Sequence, residues 1–214
     1  MKRLLASLCA LVSLTALTAR GQTATVIDPQ GDAFFGKVGN TGSSNQAPAF
    51  LDILDASFTV SDTLTFTVDV AGTLDALPNP SGSGGIFFWH FPLNTDNSTD
   101  PPGFPVPPGQ TAPADFFADA LWDGTSFSGV FVDRRPELTG GSALEYSIPV
   151  SVSGTRIILT VPAPLAAQVL AAVVLPGATW NCFTAWNNNF LLGDEHSSDA
   201  IHAADTINRQ PWPQ

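Results

Sequence analysis

The sequence predicts an all-β protein, an antiparallel two-sheet β-sandwich of jelly-roll-like type with one short helix. Three observations predict it. Apolar and polar residues alternate along many short segments, 18 Gly and 18 Pro residues interrupt a chain of 214 residues, and a single segment has the composition of a helix. Short strands with frequent turns are typical of two-layer antiparallel folds. The alternation of strand and helix units found in parallel-sheet enzymes does not occur in the sequence.

The N-terminal half contains the clearest hairpin. In residues 53–70, apolar side chains occupy every second position on both arms, and mostly Ser, Thr and Asp lie between them. This pattern predicts two strands with one buried and one solvated face, joined at Ser61-Asp62. Shorter strands are predicted at 24–27 and 86–91. The second of these is apolar on both faces, so we expect it in the core.

The C-terminal half continues the alternation. Strands are predicted at 116–122, 127–133, 144–152, 157–161 and 179–186. The Asp123-Gly124 pair after the first of them suits a two-residue hairpin turn, because both residue types adopt positive φ angles readily. The one predicted helix covers 164–173, where Pro opens the first turn and Ala and Leu follow.

Two segments lack a strand pattern. Residues 31–48 are small, polar and rich in Gly, and residues 94–113 contain six of the 18 Pro residues. The second segment is too long for an ordinary connection. We therefore expect it to form an ordered functional loop or a mobile flap.

The first 21 residues have the pattern of a secretory signal peptide. A basic start at Lys2-Arg3 precedes an apolar segment at 4–17, and small residues suit cleavage after Gly21. The apolar segment is shorter than the ~20 residues that a membrane-spanning helix needs. We expect residues 1–21 to be removed on export and residues 22–214 to form a single β-sandwich domain, secreted, periplasmic or extracellular.

The acidic balance limits the choice of partners. Three of the 8 basic residues and none of the 19 acidic residues lie in the signal segment, so its removal changes the formal net charge from −11 to −14. Nucleic acid is a poor partner, because binding to phosphates depends on Lys and Arg, and anionic lipid is disfavoured for the same reason. Cys182 is then the one remaining cysteine, so no intramolecular disulfide forms and we expect a buried thiol.

Asp and Asn residues in turns suggest a bound Ca²⁺ ion. Asp28 and Asp32 flank one tight bend, and residues 94–100 carry oxygen-bearing side chains, among them Asn94 and Asp96. Ca²⁺ takes about six to eight oxygen ligands from loops of this kind. The simpler alternative is that Asp and Asn favour turns because they hydrogen-bond to their own backbone.

Three motifs occur in order along residues 25–135. They are Asp28-Pro29-Gln30-Gly31-Asp32, then Asp52-Ile53-Leu54 with the hairpin that ends Phe66-Thr67-Val68-Asp69-Val70-Ala71-Gly72, and Phe91-Pro92-Leu93-Asn94-Thr95-Asp96-Asn97 followed by Ala114-Asp115-Phe116. Together they resemble bacterial secreted domains similar to DOMON domains and family-nine carbohydrate-binding modules. The chain departs from that pattern at Asn94, where those domains have Asp, and at Phe116, where they have Tyr. The resemblance implies a β-sandwich that binds sugars, haem or polymer surfaces.

The motifs extend the set of candidate Ca²⁺ ligands. With the two residues that the resemblance adds, Asp52 and Asp115, the set is Asp28, Asp32, Asp52, Asn94, Asp96 and Asp115. Which of these carboxylates converge depends on the fold.

Trp186 and the three residues after it are the candidate sugar-binding group. Asn187, Asn188 and Asn189 follow the indole directly. Amide groups donate and accept hydrogen bonds, as sugar hydroxyls do, and an indole offers a flat apolar face to a sugar ring. The alternative is that Trp186 packs in the core, as most Trp residues of a sandwich do.

Catalytic motifs are scarce in the sequence. No Gly-x-Ser-x-Gly elbow occurs, and Glu195, His196 and His202 lack the His-Glu-x-x-His spacing of a zinc site. A glycosidase needs a pair of facing carboxylates, and this alternative stays open because the chain has 16 Asp residues. We expect a non-catalytic binding module for carbohydrate or a polymer surface, stabilised by Ca²⁺. The alternative is a structural or interaction protein of the cell envelope with no small ligand.

Overall fold

The computed structural model describes the backbone of residues 21–37, 45–80, 85–98, 104–106, 110–112, 114–187 and 201–213, and the side chains of residues 21–33, 47–80, 85–98, 114–186 and 209–213. The strands and the α-helix, in chain order, are β1 (Gln22–Ile27), β2 (Phe34–Lys37), β3 (Asn45–Gln46), β4 (Ile53–Val60), β5 (Leu64–Val70), β6 (Ile86–Asn94), β7 (Phe104–Val106), β8 (Gln110–Ala112), β9 (Phe116–Trp122), β10 (Phe127–Asp133), β11 (Leu144–Ile148), β12 (Val150–Ser153), β13 (Arg156–Val161), α1 (Ala163–Ala172), β14 (Thr179–Asn187) and β15 (Ile201–Pro211).

Two antiparallel sheets form the predicted β-sandwich. The first sheet has five strands in the order β1-β4-β5-β13-β12. The second has the order β11-β10-β9-β6-β14-β15, and β2 and β3 extend it beyond β15. A separate hairpin, β7–β8, lies within the Pro-rich 94–113 segment. The fold class predicted from the alternation is therefore confirmed.

Aromatic side chains from both sheets fill the space between the layers. Phe58 and Phe66 of the first sheet stack with their ring centroids 4.7 Å apart, and Phe66 lies 5.1 Å from Phe91 of the second sheet. Trp180 and Trp212 approach Phe58 at 6.0 and 4.9 Å. All five side chains are buried. Burial of each such ring stabilises the fold by about 1.5–3 kcal/mol, so this cluster holds the two layers together.

The continuous strand expected at 144–152 is two strands in different sheets, so that prediction was wrong. β11 pairs with β10 in the second sheet, whereas β12 pairs with β13 in the first. Pro149 lies between them. Proline has no N–H to donate and its ring restricts the backbone, so the ladder ends there and the chain crosses to the other layer.

Several local predictions are confirmed. Helix α1 begins and ends within one residue of the predicted 164–173, and Cys182 is fully buried in the core. All nine residues of β6 are buried, as its apolar pattern on both faces predicts.

Within the described ranges, no helix is long and apolar enough to cross a membrane. Residues 1–20 of the predicted signal peptide, 1–21, lie outside the described residues.

A close approach between strands makes Gly129 of β10 sensitive to substitution. A Cβ atom there would lie 2.5 Å from the carbonyl oxygen of Ile148 and 3.2 Å from the side chain of Leu159. We expect Gly129→Ala to lower the free energy of unfolding by about 1–3 kcal/mol, the usual cost of overpacking. Gly141→Ala, in an exposed turn where the nearest atom is 3.1 Å away, should change it by less than about 0.5 kcal/mol. Equal losses in a urea titration would contradict this packing argument.

Candidate functional site

Asp52 is held in place by backbone contacts on both sides. A short 3₁₀ turn, Ala49–Leu51, ends at Asp52, whose N–H donates to the carbonyl oxygen of Ala49 at 3.2 Å. The Asp52 carbonyl oxygen accepts the N–H of Ala71 at 2.9 Å. The residue is 5% exposed. The 3₁₀ turn and the residue that follows β5 therefore fix the backbone position of Asp52.

The two carboxylate oxygens of Asp52 have different surroundings. Oδ2 accepts the backbone N–H of Gly31 at 2.8 Å. Gly31 has φ +88°, a conformation that glycine adopts without strain. Oδ1 is buried and accepts no hydrogen bond from the described part of the chain. A buried carboxylate oxygen without a donor is costly, so a cation or a hydrogen-bond donor at this atom would stabilise the protein.

A cleft of about 460 Å³ opens beside Asp52. Its other described lining residues are neutral and mostly small: Gln30, Gly31, Ala47, Pro48, Ala49 and Ala71. Among the described residues that line the cleft, Asp52 is the one with a charged side chain, so its carboxylate favours a positively charged or hydrogen-bond-donating ligand. The arrangement suits a cation or a neutral molecule with several donors, such as a sugar.

The other two carboxylates of the first bend do not join Asp52 in one cluster. Asp28 follows β1, where its N–H donates to the carbonyl oxygen of Leu54 at 2.8 Å, and its side chain is half-buried. Asp32 is exposed. Across the ranges that the structure describes, no group of three or more His, Cys, Asp or Glu side chains is close enough to hold a metal ion. The bend thus brings Gly31, rather than three carboxylates, to Asp52.

The turn at Asn94 is closed by its own hydrogen bonds. Asn94 Oδ1 accepts the N–H of Asn97 at 2.6 Å and that of Asp96 at 3.2 Å, and Asn94 Nδ2 donates to the carbonyl oxygen of Ser98 at 2.8 Å. Asp96 Oδ1 accepts the N–H of Ser98 at 2.8 Å. The side chains therefore satisfy the backbone of the turn, which is the simpler of the two sequence-based interpretations.

Asp115 fastens the end of β6 to the start of β9. Its Oδ2 accepts both the N–H and the hydroxyl of Thr95, at 2.7 and 2.6 Å, and its own N–H donates to the carbonyl oxygen of Leu93 at 2.9 Å. The residue is buried. Of the predicted Ca²⁺ ligands with described side chains, Asp52 is the one that combines burial, an open cleft and an oxygen with no donor.

Trp186 packs against the hydrophobic core. It is half-buried, and in its strand it lies opposite Phe87 of β6 and His202 of β15. Asn187 ends β14, but its side chain lies outside the described residues, as do Asn188 and Asn189. The indole therefore stabilises the fold, and a ligand could contact only the exposed part of its ring.

This packing predicts the effect of Trp186→Ala. Loss of a half-buried indole should lower the free energy of unfolding by about 2 kcal/mol, about half the loss at a fully buried site. Thermal unfolding of the variant measures it. A variant with an unchanged melting temperature that no longer binds sugar would instead support the ligand-binding role of the indole.

A buried His–Asp pair on the outer face of the second sheet was not found by sequence reasoning. His90 Nδ1 lies 2.5 Å from Asp119 Oδ1, and His90 is 2% exposed. The imidazole packs on Phe183 and Phe117, with ring centroids 4.5 and 4.8 Å away. The carboxylate orients the ring and satisfies one of its nitrogens among apolar neighbours. Sequence reasoning missed this pair because the sequence does not reveal the register between β6 and β9, which places His90 opposite Asp119.

The outer surface of the first sheet carries hydroxyl groups in two aligned rows, which we call the hydroxyl rows. Strand pairing brings residues from five strands into line across the sheet. The first row consists of Thr23, Thr59, Thr65 and Thr160, and the second of Thr25, Ser57, Thr67 and Ser151, with Ile158 between the last two. All of these side chains are exposed or half-buried.

An acidic pair lies in the next row of the same surface. Asp55 and Asp69 are opposite each other on β4 and β5, and Arg156 donates to both oxygens of Asp69 at 2.6–3.0 Å. Burial, and then the negative charge of Asp69, raise the pKa of Asp55, whereas Arg156 lowers it. A proton shared with the neighbouring Asp69 carboxylate adds to the rise in the pKa of Asp55.

The raised pKa of Asp55 predicts a pH-dependent effect of Asp55→Asn. The folded protein binds the Asp55 proton more tightly than the unfolded chain, so ionisation of this group destabilises the fold as pH rises through the two pKa values. Asp55→Asn should therefore raise the melting temperature at pH 7, and the gain should vanish near pH 3, below the unfolded pKa of about 3.9. Asp62→Asn, in the exposed hairpin turn, is the control. A gain that persists at low pH would contradict the electrostatic cause.

Comparisons of the chain with protein-family models, with curated proteins and with solved structures gave no significant match. The resemblance to DOMON domains and family-nine carbohydrate-binding modules therefore stays a prediction.

Proposed function

We propose that the protein is a secreted, non-catalytic carbohydrate-binding module in which a Ca²⁺ ion at Asp52 contributes to stability and to sugar binding. The observation that carries the proposal is the buried Oδ1 atom of Asp52, which lacks a donor among the described residues and lies beside a cleft of about 460 Å³ whose other described lining residues are neutral.

The donor set at the cleft fits a weakly bound Ca²⁺ ion. Asp52 supplies a charged oxygen, and the side-chain amide of Gln30, which lines the same cleft, offers a neutral one. Ca²⁺ takes about six to eight oxygens, and extracellular Ca²⁺ modules commonly have dissociation constants of about 10⁻⁴–10⁻³ M. With few charged ligands from the protein, an ion at Asp52 keeps coordination positions for water or for neighbouring hydroxyls of a sugar.

The charge of the protein favours a neutral ligand. The formal net charge of −11 becomes more negative when the predicted signal peptide is removed. Nucleic acid and anionic polymers are repelled by such a surface, whereas a neutral sugar is not. The neutral walls of the Asp52 cleft are consistent with the same class of ligand.

The alternative function is a structural or interaction protein of the cell envelope that binds no small ligand. Two observations favour it at the other predicted sites. The turn at Asn94 is satisfied by its own hydrogen bonds, and Trp186 packs against the core. A β-sandwich alone implies neither function, so the experiments on the Asp52 cleft described below distinguish the two.

Ca²⁺ should stabilise the wild type through Asp52. An ion in tenfold to hundredfold excess over its dissociation constant stabilises by about 1.4–2.7 kcal/mol, so millimolar Ca²⁺ should raise the melting temperature and chelator should reverse the change. Asp52→Asn retains an acceptor for the Gly31 N–H but loses the charge, and should abolish the response. Asp96→Asn, at an exposed turn, should respond as the wild type does.

The same two variants test sugar binding on a glycan array with Ca²⁺ and with chelator. Binding that requires Ca²⁺, and that Asp52→Asn loses but Asp96→Asn keeps, supports the proposal. A melting temperature insensitive to Ca²⁺ removes the ion from the proposal. Failure of the wild type to bind any glycan favours the structural alternative.

A further inference from the structure

We propose that the outer surface of the five-stranded sheet binds a single extended chain of neutral polysaccharide, which runs across the strands along the hydroxyl rows. This inference rests on the proposed function only in taking carbohydrate as the ligand. The rows share no residue with the lining of the Asp52 cleft, so the surface is a second and separate contact.

The spacing of the hydroxyl rows matches a chain with a short repeat. Neighbouring strands lie about 4.7–4.9 Å apart, and side chains two residues apart along a strand are about 6.6–6.8 Å apart. Each row therefore presents one hydroxyl per strand at a spacing comparable with the length of one sugar unit. In the first row the register gives four Thr residues on four successive strands: Thr23, Thr59, Thr65 and Thr160.

The hydroxyls are available to a ligand. Thr23 Oγ1 and Thr59 Oγ1 hydrogen-bond to each other at 2.8 Å, which leaves each of them further capacity. The remaining hydroxyls of the rows make no side-chain hydrogen bond to the part of the chain that the structure describes. Each can donate to and accept from a sugar hydroxyl, and the Thr methyl groups beside them offer small apolar contacts to the C–H groups of a sugar ring.

Charge complementarity favours a neutral polymer. Neither row contains an acidic, basic or aromatic residue, although the protein as a whole is strongly acidic. Asp55 and Asp69 lie directly beside the second row and would repel a sulfated, phosphorylated or uronic polymer. The second row ends at Ser151, in a cleft of about 480 Å³ that also holds Arg156 and Ile158 and extends the surface for the chain.

The twist of the sheet favours a single chain over a crystal face. Neighbouring strands are rotated by roughly 20–25°, which accumulates to about 60–75° over four strands. A flat lattice would contact only part of such a surface. A flexible polysaccharide chain can follow the twist and contact a whole row, so we assign the surface to single chains.

Affinity electrophoresis tests the assignment with three neutral polysaccharides in the gel: hydroxyethylcellulose, arabinoxylan and galactomannan. The wild type should be retarded by at least one of them, and anionic polygalacturonate should not retard it. The double variant Thr59→Val/Thr65→Val removes two central hydroxyls with little change of shape. Loss of two hydrogen bonds to the sugar should weaken binding by about 5- to 150-fold.

The control removes two exposed strand hydroxyls from the other sheet. Ser128→Val/Ser147→Val, on β10 and β11, should bind as the wild type does. All variants should keep the wild-type circular dichroism spectrum and a melting temperature within about 2 °C. Equal weakening in the control, wild-type retardation of the Thr variant, or no retardation of the wild type by any neutral polymer would overturn the proposal.

Asp52→Asn separates this surface from the cleft. If the Thr variant loses retardation while chelator and Asp52→Asn have no effect, the surface is supported and the Ca²⁺-dependent site fails. If only Asp52→Asn and chelator abolish retardation, the surface is overturned and the proposed function stands.

Discussion

The stacking of Phe58 on Phe66 is the contact on which both the fold and the outer surface of the first sheet depend. These rings pack against the aromatic side chains of the second sheet and hold the layers together. Because side chains alternate along a strand, an inward Phe58 places Ser57 and Thr59 outward. A slip of one residue would expose the ring and bury the hydroxyls, so the core strongly specifies the surface as well.

The sequence predicts this parity within a hairpin but not the alignment between distant strands. β4 and β5 are joined by a tight turn, so their alternation can be extended across the pair from sequence alone. The contributions of β1 and β13 to the hydroxyl rows depend on pairing between segments far apart in the chain. The pattern of the strand predicted at 157–161 indicates that Thr160 points outward, whereas Thr23 lies just before the strand predicted at 24–27, and only the register shows that the two share a row.

Elements whose side chains follow no simple period were the least predictable. β15 covers Ile201–Pro211, a segment without clear alternation, and its pairing with β14 contains two register shifts. A bulge breaks the period of two, so no continuous pattern remains in the sequence. The candidate site was equally hard to predict, because it too depends on contacts between segments that are separate in the sequence. Asp52 was included among the ligands because of its motif, but its burial results from the Gly31 bend and the Ala49–Leu51 turn, which are brought together only by folding.

The turn at Asn94 and the cleft at Asp52 differ because the first is built around an amide side chain and the second around a carboxylate. Asn94 carries both a donor and an acceptor, so it accepts two backbone N–H groups and also donates to the carbonyl oxygen of Ser98. A carboxylate at that position could not donate, and would leave this carbonyl to a cation or to water. Asp52 is such a carboxylate: one of its oxygens is satisfied by Gly31, and the other depends on a donor or cation from outside the described chain. Asn94 therefore closes its turn without an ion, whereas the buried Oδ1 of Asp52 places any requirement for an ion at the first bend.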